Sequence, residues 1–445
     1  MTKHPPISTH PSSFNAHAAK QEVLVLGGVT HDNRGDLAMM EGLFIGLREM
    51  SSNIAPILYS WNPKHSRTVF DVECRHSPDL DISSQFSSRS SRIIAIIEMA
   101  WFVIRFALFR FVSFRVARLF TNANLLGFFV QLSRASAVIV HGSGSFNSYW
   151  WHDWVYPKTA CAIAARLAGK PILMTSQGVG PFEHVLDRLV ASLFFRAATY
   201  LGVRDADQSA NIMRRLGAQS SRIWQSGDNA LLLPKLSDAE LNILLEAEGI
   251  PLTELLIGVN VRDATSYSSS FHEGQLDKLA TALSEIAIRH GARLVFIPIS
   301  YDSADDDRRS AENLARIIGD RAPITVVRNE RSAAELRALI SRMSICVGTS
   351  YHFLLFALSS NVPAIGLFRN AYYRQKQSGL FGLFGHPELC IDTSLASASE
   401  LTERIGRLMV ERTELSCELE RANVTLAEKT AHAYAQFAHA ICATN

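Results

Sequence analysis

The strongest constraint on the fold is an alternation between short apolar runs and longer amphipathic segments. Strand-like runs that end in glycine or polar residues lie at 22–28, 136–144, 171–181 and 198–205. Helical patterns separate them, as at 157–169 and 206–217. Strands that alternate with helices are typical of βαβ units, in which neighbouring strands run parallel. The first half of the chain is therefore predicted to form a parallel sheet covered by helices.

A second series of the same kind follows. Strand-like runs lie at 255–263, 293–300, 323–328, 344–350 and 362–368, and helical patterns at 274–291, 305–319 and 332–343. In the last helix, Ser332 and Glu335 have the spacing of a capping box. The predicted fold class is α/β, with two doubly wound parallel-sheet (Rossmann-like) domains that face each other across a cleft. Ligands in such folds bind beyond the carboxyl ends of the strands, so the loops that follow the strands are the place to search.

The chain of 445 residues is long enough for two domains. We predict a flexible N-terminal arm (1–20), an N-terminal Rossmann-like domain (21–240), a C-terminal Rossmann-like domain (250–395) and a C-terminal helical segment (396–445) that packs back across both. The linker is placed within 236–254.

Charge and cysteine content narrow the class of protein. The formal net charge is +2, and no nucleic-acid-binding motif occurs, so we expect no nucleic-acid partner. Six cysteines are scattered without metal-ligand spacing, which favours free thiols in a reducing compartment. The first twenty residues lack the pattern of a secretory signal. We expect a cytoplasmic protein.

The stretch 93–120 is strongly apolar but contains Glu98 and four arginines, so it offers no clean membrane span. Two interpretations fit: a helix that lies on the inner face of a membrane, or a largely buried helix pair. We favour the buried pair and keep peripheral membrane contact as the alternative.

Four loops of the first domain carry candidate binding residues. In 27–39, Asn33 and Asp36 precede a helix and could receive a sugar or phosphate, although Asp36 could equally cap the helix. In 141–154, Gly142 and Gly144 allow close approach of a ligand. The same loop holds Trp151 within a group of aromatic residues that could stack on sugar rings or belong to the core.

The loop 176–182 adds Gln177 and Gly178 at the end of another strand. Arg204 follows the next strand, where it could face the cleft or form a surface pair with Asp205, which would contribute little.

The second domain offers candidates for binding an anion. Arg262 ends a strand, and Thr349 and Ser350 precede the helix that begins near His352. A helix N-terminus carries partial positive charge and free N–H groups, and a histidine there could act as an acid. A single histidine on an apolar helix is more often structural. The run 369–376 is interpreted as a basic loop in which Arg374 and Lys376 could form an anion pocket or a solvated face.

Other chemistry is excluded by missing motifs. The sequence has no dinucleotide-binding glycine pattern, P-loop, HExxH or nucleophile elbow, so neither a metal nor a cofactor is expected.

The order of these loops resembles the polysaccharide pyruvyl transferase family. The matching pieces are NRGDLA, HGSGSF, SQGVGP, VRDADQS, SGDNALLLP, and SYHFLLFALSSNVPAIGL followed by YYRQK, over about residues 22–390. The family is similar in architecture to two-lobed GT-B glycosyltransferases. Its members transfer the enolpyruvyl group of phosphoenolpyruvate onto sugar hydroxyls, often as a cyclic ketal.

The resemblance implies a function and roles for residues. The protein is expected to pyruvylate a saccharide of an exopolysaccharide or cell-envelope glycan, and this acceptor could be lipid-linked. The first domain would be the acceptor lobe and the second the donor lobe. His352 would be the proton donor and Arg204 a contact to phosphoenolpyruvate. The alternatives are a GT-B glycosyltransferase that uses a nucleotide sugar, and a non-catalytic family member that binds saccharide or anion.

One position departs from the family pattern. The family commonly has arginine two residues before this histidine, and this chain has Ser350 there. Arg262, Arg374 or Lys376 are the candidates to replace the lost anion contact.

Overall fold

The computed structural model describes residues 20–28, 31–83, 91–262 and 274–442. The predicted arm (1–20) lies outside this part of the chain except for its last residue. Two parallel sheets, one of seven strands and one of six, form two lobes. The predicted α/β class with two doubly wound parallel sheets is confirmed.

The N-terminal lobe is built on a seven-stranded sheet in the order β3-β2-β1-β4-β5-β6-β7, with every neighbouring pair parallel. Its strands are β1 (Gln21–Leu26), β2 (Ile54–Ser60), β3 (Glu73–His76), β4 (Ala137–Val140), β5 (Ile172–Gln177), β6 (Tyr200–Val203) and β7 (Ile223–Gln225). The central strands are wholly buried because helices cover both faces.

Nine α-helices belong to the described part of this lobe. They are α1 (Arg34–Met50), α2 (Pro63–Val69), α3 (Asp79–Ser83), α4 (Arg92–Ala107), α5 (Phe114–Leu119), α6 (Ala123–Arg134), α7 (Tyr156–Leu167), α8 (Val185–Ala197) and α9 (Gln208–Arg215). Two π-helical turns, Leu108–Val112 and Trp151–Val155, precede α5 and α7. Helices α4, α6, α7 and α8 share one core on one face of the sheet, and α1 packs on the other.

The C-terminal lobe has a six-stranded sheet in the order β10-β9-β8-β11-β12-β13, again parallel throughout. Its strands are β8 (Leu255–Asn260), β9 (Ala292–Phe296), β10 (Ile324–Val326), β11 (Ile345–Gly348), β12 (Ala364–Phe368) and β13 (Cys390–Asp392). Its helices are α10 (Asp238–Ala247), α11 (Gln275–His290), α12 (Asp307–Ile318), α13 (Ala333–Ser341), α14 (Tyr351–Leu358), α15 (Ala371–Leu383) and α16 (Ala398–Cys442).

Local signals account for several of these elements. The predicted capping box at the start of α13 is present, with Ser332 and Glu335 each bonded to the backbone of the other. The segment proposed as linker contains α10, whose Leu244 and Leu245 are buried in the core of the C-terminal lobe.

The run 369–376, interpreted as a loop, is the beginning of α15 instead, with Asn370 as its N-cap. All six cysteines are free, and three of them are buried.

The two lobes contact each other through backbone as well as side chains. The N–H of Tyr301 donates to the carbonyl of Asp32 at 2.8 Å, and the N–H of Arg34 donates to the carbonyl of Ile299 at 2.9 Å. Helix α16 spans both lobes, since Leu401 lies in the core of the C-terminal lobe and Phe437 in that of the N-terminal lobe.

The prediction for 93–120 is wrong in one respect. Helix α4 buries only one face, with Met99, Phe102 and Phe106 in the core, and leaves a second apolar face exposed. The stretch is therefore not a largely buried helix pair. No helix in the described ranges is long and apolar enough to cross a membrane.

Strand order brings the candidate loops together. In each sheet the order reverses between two central strands, β1 and β4 in one lobe and β8 and β11 in the other. The loops after such strands leave in opposite directions and open a crevice at the carboxyl edge of the sheet. The crevices of the two lobes face one cavity.

Candidate active site

A cavity of about 200 Å³ lies between the lobes and contains most of the predicted site residues. The N-terminal lobe contributes residues from the loops after β1, β4 and β6, including Asn33, Asp36, His141, Ser143, Gly144, Trp150, Asp153, Trp154 and Arg204. The C-terminal lobe contributes residues after β8, β11 and β12, including Arg262, Thr349, Ser350, Tyr351, His352, Arg369, Tyr372, Tyr373 and Lys376. The cavity is thus completed by both lobes.

His352 lies at the second position of α14, where Ser350 is the N-cap. Its side chain is buried, and its Nε2 has no hydrogen-bond partner among the described residues. The nearest carboxylate oxygen of Asp228 is 3.8 Å from that atom. Burial, and after it the positive charges of Arg204, Lys376 and Arg262, hold the pKa of His352 well below its ordinary value. The imidazole is therefore neutral near pH 7 while the cavity is without an anion.

A glycine of the other lobe fixes one side of this imidazole. Gly35 is the second residue of α1, and a Cβ atom there would overlap the ring of His352. Asn33 caps α1 by accepting a hydrogen bond from the N–H of Gly35 at 3.0 Å. The N-termini of α1 and α14 consequently meet at His352, and both carry partial positive charge.

Arg204 is buried at the base of the cavity. Its Nη1 donates to Oδ2 of Asp228 at 3.2 Å, and its guanidinium lies over the ring of Tyr351, 4.1 Å from the centroid. Glycine is needed at Gly144 because a Cβ there would lie 2.6 Å from Nη2 of Arg204. The surface pair with Asp205 that was the alternative is not what the structure shows, since Asp205 bonds to Ser209 instead.

Arg262 is held by a buried carboxylate of its own lobe. Its Nε donates to Oδ1 of Asp307 at 3.0 Å, and its backbone N–H donates to Oγ1 of Thr349 at 2.8 Å. Burial, and after it the charge of Asp307, act in opposite directions on this guanidinium, and the balance raises the pKa of Arg262 above its ordinary value. Its Nη2 has no hydrogen-bond partner among the described residues.

Lys376 and Arg374 are separated by the helical phase of α15. The ammonium of Lys376 lies 5.4 Å from the ring centroid of Tyr351 and 5.8 Å from that of Tyr372. Burial, and next the charge of Arg204, lower the pKa of Lys376 to about 7. Arg374, two positions earlier on the helix, is exposed and does not line the cavity. Of the residues suggested to replace the family arginine, Arg262 and Lys376 reach the cavity.

Acidic and aromatic side chains also line the cavity. Asp36, Asp153, Trp150 and Trp154 do so together with Asn33. Asp36 is not the cap of α1, since Asn33 has that position. Carboxylates that accept hydrogen bonds and aromatic rings that stack suit the hydroxyl groups and faces of a sugar.

Four predicted acceptor residues, Gly142, Trp151, Gln177 and Gly178, do not line this cavity. Gly142 packs against the backbone of Thr175 and Ser176, which explains the glycine by packing alone. Trp151 lies under the guanidinium of Arg92, 4.8 Å from it, and packs on the core.

Gln177 is likewise structural, because its Nε2 donates to the carbonyl of Ser143 at 2.8 Å. Gly178 lines a small recess beside Arg204. In both cases the loop after β5 supports the wall of the cavity.

Sequence reasoning missed several residues of the site. Asp228, the partner of Arg204, lies in the quoted motif SGDNALLLP, but no role was assigned to it. His141 and Tyr372 lie within quoted motifs in the same way, and the hydroxyl of Tyr372 donates to the carbonyl of Gly144 across the lobes at 3.1 Å. Their motif membership was the available signal. Among the described residues, no group of three or more His, Cys, Asp or Glu side chains could hold a metal ion.

Solved structures with a similar fold are nucleotide-sugar proteins of low sequence identity. HepE from Anabaena, solved with UDP-glucose, is 12% identical with a TM-score of 0.55, covering 94% of this chain and 98% of that one. The UDP-GlcNAc 2-epimerase from Methanocaldococcus jannaschii is 12% identical with a TM-score of 0.53, covering 86% of this chain and 91% of that one. These likenesses concern the fold alone and confirm its GT-B-like arrangement.

Sequence comparison identifies the family. The amylovoran biosynthesis protein AmsJ from Erwinia amylovora is 22% identical over 411 residues, which cover 90% of this chain and 95% of AmsJ. The family model of polysaccharide pyruvyl transferase matches residues 33–369. This range includes the cavity residues Arg204, Arg262 and His352. The resemblance noted in the sequence is thereby confirmed, and the chain belongs to the polysaccharide pyruvyl transferase family, a family of transferases.

Proposed function

We propose that the protein transfers the pyruvate unit of phosphoenolpyruvate onto hydroxyl groups of a saccharide, as a step in the synthesis of an exopolysaccharide or cell-envelope glycan. The observation that carries the proposal is the buried imidazole of His352 within one cavity that also holds Arg204, Arg262 and Lys376. Membership of the family and the similarity to an amylovoran biosynthesis protein support the saccharide acceptor.

The cationic residues that line the cavity, Arg204, Arg262 and Lys376, suit a small, highly charged donor. Phosphoenolpyruvate carries a carboxylate and a phosphate, and guanidinium groups bind both with paired hydrogen bonds. The unpaired Nη2 of Arg262 and the N-terminus of α14 supply hydrogen-bond donors, and Arg204 and Lys376 supply further positive charge.

The chemistry requires one acid near the methylene carbon of the donor. We assign this role to Nε2 of His352, since Nδ1 is packed against Gly35. Transfer of its proton to the methylene forms a C–H bond and leaves positive charge at the neighbouring carbon, which bears the phosphate oxygen. A sugar hydroxyl attacks that carbon and forms a C–O bond. Phosphate then leaves with the electron pair of its C–O bond. Attack by a second hydroxyl, whose proton returns to Nε2 of His352, completes a ketal.

A base must accept the proton of the attacking hydroxyl. Asp36 lines the cavity next to Gly35, which touches His352. We assign Asp36 to this role, and Asp153, Trp150 and Trp154 to the binding of the sugar. The N-terminal lobe then holds the acceptor, and the C-terminal lobe supplies most donor contacts.

The fold likeness to nucleotide-sugar proteins does not favour a nucleotide-sugar donor, because it is accompanied by only 12% identity. We further propose that the reaction takes place in the cytoplasm, with an acceptor carried on a lipid.

The test is to incubate the protein with phosphoenolpyruvate and candidate oligosaccharides, follow phosphate release, and identify the ketal by NMR. His352→Gln should abolish both signals while the protein stays folded. His439→Gln, at an exposed histidine of α16, is the matched control and should leave them unchanged. Binding of phosphoenolpyruvate without phosphate release on any acceptor would indicate a non-catalytic family member. Absence of binding would contradict the proposed donor.

A further inference from the structure

The surface of α4 and α5 carries an unusual row of exposed apolar side chains, which we name the outer apolar face. Exposed fractions in this row run from 40% at Trp101 to 78% at Leu119. The outer apolar face consists of Ile93, Ile97, Trp101, Ile104, Phe111, Val112, Phe114, Leu119 and Phe120. Soluble proteins rarely expose so many large apolar groups together unless the surface binds something.

The part of this face on α4 is a stripe that continues to Phe120. On α4 they recur at a helical spacing along one stripe, opposite the buried stripe of Met99, Phe102 and Phe106. The ring of Phe120, just after α5, meets that of Trp101 edge to face at 6.1 Å. The inner stripe therefore anchors α4 in the core while the outer stripe faces outward.

Positive charge surrounds this apolar surface. The stretch 93–120 contains four arginines, Arg105, Arg110, Arg115 and Arg118, against the single acidic residue Glu98. Arg105 lies 5.8 Å from the ring centroid of Trp101, and Arg110 lies 5.5 Å from that of Phe111. The whole chain has a net charge of only +2, so the excess is local. Arginines beside exposed tryptophan and phenylalanine match the headgroup layer of an anionic bilayer.

We infer that the outer apolar face docks the protein onto an anionic lipid bilayer, with α4 and α5 lying in the headgroup layer. The apolar side chains enter the acyl boundary, and the arginines contact lipid phosphates. A second copy of the chain is a less suitable occupant, because two such faces would place their arginines against each other.

The outer apolar face lies near the residues proposed to bind the acceptor sugar. Arg92, at the start of α4, lies over the ring of Trp151 at 4.8 Å. The neighbouring Trp150 and Trp154 of the same turn line the cavity. Docking would thus bring the side of the cavity lined by Trp150 and Trp154 near the bilayer, within reach of a saccharide on a lipid carrier. This last step rests on the proposed function, whereas docking itself does not.

Flotation of the full chain with lipid vesicles tests the inference. We expect it to float with vesicles of phosphatidylcholine and phosphatidylglycerol, and to float weakly with phosphatidylcholine alone. Arg110→Gln, Arg115→Gln and Arg118→Gln together should weaken binding on the order of a hundredfold, as three charges near an anionic surface imply. Trp101→Ser with Leu119→Ser should also abolish flotation. Ile288→Ser with Val410→Ser, at exposed apolar residues of α11 and α16, is the control and should float like the parent.

The outcomes separate this inference from the proposed function. The triple arginine variant and the Trp101→Ser, Leu119→Ser variant should keep the parent's thermal unfolding midpoint. They should also keep its rate of phosphate release with a water-soluble acceptor, and lose activity only on an acceptor in vesicles. Equal flotation of all variants, no flotation of the parent, or a dimer in solution that Trp101→Ser with Leu119→Ser dissociates would each overturn the docking surface. A protein that floats as expected but never releases phosphate would contradict only the proposed function.

Discussion

Gly35 of the N-terminal lobe packs directly against the imidazole of His352 in the C-terminal lobe. The contact is close enough that a Cβ atom on Gly35 would lie 2.7 Å from Cε1 of the ring. Real Cβ atoms do not approach so near. The imidazole of the proposed proton donor can therefore occupy this position only because residue 35 is glycine. Packing of the two lobes against each other therefore also positions the acid.

Gly35→Ala should displace the imidazole and lower turnover by about a hundredfold, the usual effect of a misplacement of about 1 Å. Steady-state kinetics of phosphate release measure this effect. Gly127→Ala is the control, since nothing lies within 4 Å of a Cβ at that helical position. A Gly35→Ala protein with the parent's turnover would show that the contact does not position His352.

Lys376→Met should weaken phosphoenolpyruvate binding by about 10- to 100-fold, the loss expected for one charge-assisted hydrogen bond. Arg374→Met, on the exposed side of the same helix, should have almost no effect. Titration calorimetry with phosphoenolpyruvate compares the two variants. Equal losses in both would mean that long-range charge, and not the cavity position of Lys376, governs donor binding.

The same lysine should make stability depend on pH. Its folded pKa of about 7 is below the ordinary value of 10.5, so the unfolded chain binds more protons between these values. The parent should therefore gain stability as pH rises from about 7 to 10.5. Lys376→Met removes this cost and should raise the free energy of unfolding by roughly 1 kcal/mol or more near pH 7. Urea denaturation should show that gain vanish above pH 10.5, and a gain of the same size at every pH would contradict the titration.

Two pH profiles should differ because of His352. Burial and neighbouring cations lower the pKa of His352 in the free protein, and a bound anion would raise it again. Since the acid must be protonated, kcat/KM for phosphoenolpyruvate should fall as pH rises from below the ordinary histidine value, while kcat holds to higher pH. Profiles that share one pKa at or above 6.5 would argue against His352 as the acid.

Asp228→Asn should alter both the acid and its neighbour Arg204. The carboxylate lies 3.8 Å from Nε2 of His352 and bonds to Arg204, so its loss removes negative charge from both. We expect the fall of kcat at high pH to begin about one pH unit or more lower, because an opposite charge at this range raises a histidine pKa by that amount.

The same variant should unfold more easily, by about 3 kcal/mol, because one partner of a buried ion pair is left without its charge. Asp320→Asn, at an exposed position, is the control for both measurements. An unchanged pH profile would show that Asp228 supports only the fold.

The sequence by itself determined the two parallel sheets and the loops in which the site would lie. Alternation of apolar runs and helical patterns is a local signal, and parallel strands place their following loops at one edge of the sheet. The capping box of Ser332 and Glu335 was also readable, because its bonds join residues three apart. Four strands (β2, β3, β7 and β13) were not predicted. Three of them have only three or four residues, and β2 contains Pro56, so none gives a clear periodic signal.

Only the tertiary structure decided which polar residues reach the cavity. Helical phase separates Lys376 from Arg374, and packing across the lobes joins Gly35 to His352 and Arg204 to Asp228. The sequence suggested that Trp151 stacks on a sugar ring. In the structure its ring packs under Arg92, whereas Trp150 and Trp154 line the cavity. Such assignments depend on distances between residues far apart in the chain, which local periodicity does not encode. For the same reason, only the folded chain shows that α4 presents one apolar face to the core and a second to the surface.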